Sequence, residues 1–97
     1  MQMKQVILIV DDEEGLREGL SDLLEKEGYA VLTAESGVQA LEILQSAHID
    51  LVLTDMRMPG MDGIELVKKI HERHGNIGVI MLTGYGQIET YMEARNY

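Results

Sequence analysis

Apolar positions along the chain fall into two kinds of run. Four runs are short and continuous: Val6-Ile7-Leu8-Ile9-Val10, Tyr29 to Ala34, Asp50-Leu51-Val52-Leu53-Thr54 and Gly78-Val79-Ile80-Met81-Leu82. The first does not alternate with polar residues, which suits a central parallel strand covered on both faces. Between the runs, apolar residues recur at helical spacing. Leu16, Leu20, Leu23 and Leu24 mark a first helix, Ala40, Leu41 and Leu44 a second, and Ile64, Val67 and Ile70 the inward side of a third. Local signals bound these segments. The acidic run Asp11-Asp12-Glu13-Glu14 opens the first helix, where the dipole favours negative charge, and Gly28 ends it. Ser36 with Gln39 forms a capping-box signature. Pro59-Gly60 marks a turn, Asp62 and Glu65 open the third helix, and Gly75 closes it. Beyond Gly84-Tyr85-Gly86, the stretch from Gln87 to Arg95 predicts the start of a fourth helix.

The order is therefore strand-helix repeated four times with short connections. Such alternation predicts an α/β fold, a parallel sheet with helices on both faces, forming one domain over residues 1–97. Right-handed crossovers leave few topologies for it. No repeat, low-complexity tract or linker interrupts the pattern.

In open α/β sheets, sites form beyond the carboxyl ends of the strands. The residues there are informative. The first strand ends in Asp11 and Asp12, the third in Asp55, the fourth in Thr83. Taken singly, each Asp reads as a cap for a turn or helix. Taken together, three carboxylates at one edge repel unless some stay protonated or a cation sits among them. A hard divalent ion with oxygen ligands solves this, and Mg²⁺ suits it. An Asp held beside such an ion can act as a nucleophile toward phosphorus.

Charge and composition narrow the functions. Net charge is -9, from 17 acidic and 8 basic residues, which argues against direct nucleic-acid binding. There are no cysteines, so disulfides, thiol chemistry and zinc fingers are excluded, in keeping with a cytoplasmic setting. No apolar run approaches the roughly 20 residues that span a bilayer, and Met1 to Gln5 has no signal-peptide architecture. His71 and His74 lie three apart on a helix, but with His48 elsewhere they lack a third ligand at matching spacing and read as solvated surface.

Three segments carry a family resemblance. Val10-Asp11-Asp12-Glu13, then Asp55-Met56-Arg57-Met58-Pro59-Gly60-Met61-Asp62-Gly63, then Met81-Leu82-Thr83-Gly84 resemble the receiver domain of two-component response regulators. Gly84 to Thr90 is similar to receivers of the nitrogen-regulator type. The resemblance implies a flavodoxin-like, CheY-like three-layer fold with strand order 2-1-3-4. It implies that Asp55 is the phosphoacceptor and that a sensor histidine kinase is the partner. It implies Mg²⁺ held by Asp12 directly, Asp11 largely through water, Asp55 and the Arg57 backbone carbonyl. Thr83 corresponds to the switch hydroxyl, Met58-Pro59-Gly60 to the loop shaping the pocket floor, and Tyr85 to the responsive loop after the fourth strand.

The family continues with a fifth strand, a Lys at its end and a fifth helix, whereas these residues stop at Tyr97. Lys4, Lys26, Lys68 and Lys69 all fall away from the carboxyl edge of the predicted sheet. Two expectations follow: phosphotransfer is weakened, and Val79 to Leu82 forms a bare edge through which the chain self-associates. The leading function is a phosphoacceptor signalling module, at most self-catalysing its own phosphotransfer and dephosphorylation. The alternative is a phosphorylation-incompetent receiver fragment that oligomerises through that edge. An aspartyl phosphohydrolase is disfavoured, since such enzymes usually place a second acid two residues after the nucleophile and Arg57 stands there.

Overall fold

The computed structural model of the chain describes residues 4–75, 77–82 and the backbone of 88–90. In chain order they form β1 (Val6–Val10), α1 (Glu14–Lys26), β2 (Ala30–Ala34), α2 (Gly37–Ser46), β3 (Leu51–Asp55), α3 (Gly63–His74), β4 (Gly78–Leu82) and β5 (Ile88–Thr90). The first four strands are parallel in order 2-1-3-4, as expected.

The helix boundaries follow side-chain chemistry. Ser36 Oγ accepts from the Gln39 amide, and Gln39 Oε1 accepts from the Glu35 amide. Asp62 Oδ1 accepts from the Glu65 amide at 2.9 Å. Each bond satisfies a donor that a helix start would otherwise leave unpaired. Glu13, at the start of α1, makes no such side-chain cap.

The sheet is covered unevenly. Leu8, Val10, Val52, Val79 and Met81 face α2 and α3, and meet Ala40, Leu41, Leu44, Leu66, Val67 and Ile70 in one buried cluster. On the other face lie Ile7, Ile9, Leu51, Leu53 and Ile80, by strand alternation and register. Among the described residues α1 covers that face, and it is a thin cover. None of its residues is buried, Leu16 and Leu23 are exposed, and Leu51, Leu53 and Ile80 are half-buried.

Three details depart from the pattern-based expectation. Ile64 is 44% exposed; Leu66, at 0%, takes its place in the core. The helical spacing allowed either residue, and α3 turns its Leu66-Val67-Ile70 side toward the sheet. Second, Ile88–Thr90 is not helical. It pairs antiparallel with β4, Ile80 opposite Thr90 and Leu82 opposite Ile88. Two β-branched residues in three favour strand, and the open N–H and C=O groups of β4 supply the ladder. Third, β4 is therefore not a bare edge over Ile80–Leu82, where the expectation had Val79 to Leu82 open. The remainder of the expected fourth helix lies outside the described residues.

At the amino edge Asp50 ties β1 to β3. Its Oδ2 accepts from the Val6 amide at 2.8 Å, its amide donates to the Val6 carbonyl at 2.9 Å, and Oδ1 lies 2.8 Å from His48 Nε2. The Val6 N–H first, and His48 second, hold the Asp50 carboxyl below its ordinary value. A carboxyl depressed in the fold adds stability above its unfolded value and loses it as pH falls through the folded one. Asp50→Asn is expected to flatten the acid limb of the stability profile below about pH 4. Thermal midpoints of both proteins from neutral to acid pH check this; parallel profiles would contradict it.

Candidate functional site

Parallel register sets Val10 beside Thr54, so Asp11 and Asp55 stand at the ends of neighbouring strands. Asp12 follows Asp11 in the turn to α1. The three carboxylates each bring an oxygen within 4.8 Å of the others. Asp11 is buried, Asp55 half-buried and Asp12 exposed, so the cluster opens from the sheet toward solvent.

Asp11 has few free groups. Its amide donates to the Ala34 carbonyl at 3.1 Å, and Oδ1 accepts from the Glu13 amide at 2.8 Å. The latter bond closes the turn before α1 and is not a cap of the helix itself, whose N-cap is Glu13. The other carboxylate oxygen, Oδ2, is buried without a partner. Burial, above all, pushes the Asp11 carboxyl up; the Glu13 N–H pulls the other way, and the charges of Asp55, Asp12 and Glu13 push up further. A buried acceptor with no donor and with anionic neighbours is the arrangement a divalent cation relieves. The residues present therefore fit Mg²⁺.

Asp55 is held by its backbone. The Met56 amide donates to the Leu82 carbonyl at 3.1 Å, and the Gly63 amide donates to the Met56 carbonyl at 2.8 Å. Thr54 Oγ1 donates to the Asp55 carbonyl at 3.0 Å. Gly63 sits so close that a Cβ there would collide with the Asp55 carbonyl oxygen and lie 2.9 Å from Met56 Cα. That approach explains why the segment needs glycine at its end. The intervening loop is anchored twice. Met58 is buried in the core cluster, and Met61 packs against Gly37, where a Cβ would come within 2.8 Å of its sulfur. A cavity of about 320 Å³ opens along this loop, lined by Arg57, Met58, Pro59 and Asp62.

Asp11, Asp12 and Asp55 thus come together as expected. Arg57 is exposed, its amide 3.4 Å from Asp55 Oδ1. Thr83 and Tyr85 lie outside the described residues. His71 and His74 gain no third ligand among the described residues, and His71 Nδ1 lies 3.2 Å from the Gly75 carbonyl. Sequence reasoning overlooked Arg17. Its Nη1 donates to the Asp11 carbonyl at 2.8 Å, which brings a cation to an edge where none was expected. A basic residue six positions after Asp11, one turn into α1, was the available signal.

Two outcomes follow. An acid whose value is raised in the fold supports stability fully below its unfolded value and loses that support as pH rises through the folded one. Without metal, stability is expected to fall as pH rises above the ordinary carboxylate range. Asp11→Asn should remove that fall and raise the melting temperature at neutral pH. Melting in a chelator across pH checks it. Gly63→Ala should cost about 1–3 kcal/mol by overpacking against fixed backbone. It should also shift the Asp55 and Met56 amide resonances; unchanged amides would count against the contact.

Comparison with known proteins follows the same lines. Residues 7–97 match the family described as the response regulator receiver domain. The chain is 45% identical over 93 residues to the sporulation initiation phosphotransferase F of Bacillus subtilis (strain 168), covering 96% of this chain and 75% of that protein. It is 37% identical over 89 residues to the DNA-binding transcriptional regulator NtrC of Escherichia coli (strain K12), covering 92% of this chain but 19% of that protein. Among solved structures, the response regulator protein TrrA from Thermotoga maritima, in complex with Mg²⁺-BeF, superposes with a TM-score of 0.80 at 42% identity. That match covers 84% of this chain and 70% of the other. No helix among the described residues is long and apolar enough to cross a membrane. With its strand order, its acidic edge and these likenesses, the chain belongs to the response regulator receiver domain family.

Proposed function

We propose that this receiver accepts a phosphoryl group on Asp55 from the phosphohistidine of a sensor histidine kinase, with Mg²⁺ as cofactor. The observation that carries the reading is the unpartnered, buried Asp11 Oδ2 within a trio of carboxylates whose oxygens approach within 4.8 Å. Asp11, Asp12, Asp55 and the Arg57 carbonyl would hold the ion. When bound, Mg²⁺ supplies charge neutralisation and polarises the phosphoryl oxygens. The complex of a similar regulator with Mg²⁺-BeF supports the same cofactor here.

The chain's own residues do the rest. An Asp55 carboxylate oxygen attacks phosphorus, the P–N bond to the donor imidazole breaks, and an acyl phosphate forms on Asp55. The hydrogen bonds of Met56 and Gly63 hold the nucleophile's backbone during that exchange. In this reading Thr83 supplies the switch hydroxyl that turns to the new phosphoryl group, and Tyr85 belongs to the loop that responds. Receiver domains are generally signalling modules and not enzymes; what this chain catalyses is its own phosphorylation and dephosphorylation. On this reading the domain works in the cytoplasm, beside the phosphohistidine of its kinase. The reading as an oligomerising fragment has less support, since β5 pairs with Ile80–Leu82 of the edge it required.

The described lysines stand before β1, at the end of α1 and within α3, not at the carboxyl edge. Labelling of residues 1–97 by themselves is accordingly expected to be slow. The protein, treated with acetyl phosphate and Mg²⁺, should gain one phosphoryl group by intact mass. Asp55→Asn should gain none, and Asp11→Asn should be labelled at least tenfold more slowly. Labelling of Asp55→Asn at the wild-type rate would overturn the assignment.

A further inference from the structure

We propose that Arg17 is a positioning residue for the metal seat: it pins the Asp11 carbonyl so that the one free Asp11 oxygen is aimed at Asp12 and Asp55. The inference rests on the reading of this cluster as a Mg²⁺ site and adds to it a residue outside the ligand set.

Asp11 has four polar groups to place. Its amide is taken by Ala34 of β2 at 3.1 Å, so the ladder between β1 and β2 runs one residue past Val10. Its Oδ1 is taken by the Glu13 amide at 2.8 Å. Its carbonyl oxygen is taken by Arg17 Nη1 at 2.8 Å. Only Oδ2 is left, and it is buried without a partner. Three fixed groups determine the direction of the fourth. Of the three partners, two are backbone amides or carbonyls supplied by any sequence with this fold. Arg17 is the side chain among them.

The placement of Arg17 runs against local preference, which marks it as purposeful. It lies one turn into α1, its amide donating to the Glu13 carbonyl at 3.0 Å, close to the end of the helix where the dipole disfavours a cation. Its guanidinium nevertheless folds back over the turn and does not extend into water, and the residue is half-buried. Two effects offset the cost. One is the charge-assisted bond to a carbonyl. The other is the acidity of the turn it spans, Asp11 to Glu14, facing Asp55. A guanidinium carries further N–H groups in a rigid fork, so it holds the carbonyl in one geometry; an ammonium on a flexible stem does this less well.

The test uses the whole chain with Arg17→Met and Arg17→Lys. Mg²⁺ affinity is read from amide chemical shifts in a titration, with thermal melting in a chelator to show that each variant is folded. Partners that orient metal ligands typically change affinity tenfold or more. Arg17→Met is expected to weaken Mg²⁺ about tenfold, and Arg17→Lys to recover part of the loss. Labelling by acetyl phosphate should return to within about twofold of the wild-type rate once Mg²⁺ saturates each variant, because Arg17 acts through the seat. A folded Arg17→Met with Mg²⁺ affinity within twofold of wild type would overturn the proposal. Should Arg17→Met fail to fold, Arg17→Lys decides the matter: a severalfold loss of affinity supports the pinning role, and affinity equal to wild type overturns it. If the wild-type protein itself takes no Mg²⁺, it is the seat, and not Arg17, that has failed.

Discussion

The parallel pairing of β1 with β3 is the constraint on which the rest depends. Neighbouring strands lie about 4.8 Å apart, and their ends carry whatever residue comes next. Here that residue is an aspartate on both, with a further aspartate in the turn. The backbone ladder therefore forces together groups that repel. No rearrangement of side chains alone separates Asp11 from Asp55, since Asp11 is buried and tied through its amide, carbonyl and one carboxylate oxygen. The strain of the site is a direct consequence of a hydrogen-bonding pattern that stabilises the domain.

That stabilisation is distributed unevenly. The face under α2 and α3 is closed by fully buried leucines, isoleucines and valines. The face under α1 leaves Leu16 and Leu23 exposed and the inward residues of β3 and β4 half-covered. The loop after β3 borrows from the better-packed side: Met58 enters the closed core and Met61 braces the start of α2. The surroundings of Asp55 are thus anchored in the layer least able to yield, while Asp12 and the mouth of the cluster stay open to solvent.

Much of this was legible in the chain. Continuous apolar runs gave four strands, and paired caps such as Ser36 with Gln39 and Asp62 with Glu65 located two helix starts to the residue. Asp11, Asp12 and Asp55 were recoverable because strand ends are readable and acids there are conspicuous. What escaped depends on three-dimensional choice. Ile64 and Leu66 are both apolar and near the inward arc, and only the tilt of α3 against the sheet decides between them. Ile88 to Thr90 sits in a stretch of mixed propensity, and its strand pairing is a response to the open side of β4. Arg17 reads on paper as one more charge on a solvated helix; its bond to a carbonyl six residues earlier is set by the angle at which α1 leaves the turn.

The contact between Gly63 and the Asp55 backbone has one more consequence. With Met56 tied forward to Gly63 and sideways to Leu82, the peptide after Asp55 has no slack. On the proposal that Asp55 accepts a phosphoryl group, that group would enlarge a residue whose backbone cannot retreat. The displacement has to travel, as in a latch whose tongue is fixed to both door and frame, into the first turn of α3 or along the end of β4. Under the proposed acceptor role, rigidity next to Asp55 would turn a local covalent event into a message that the surface can carry.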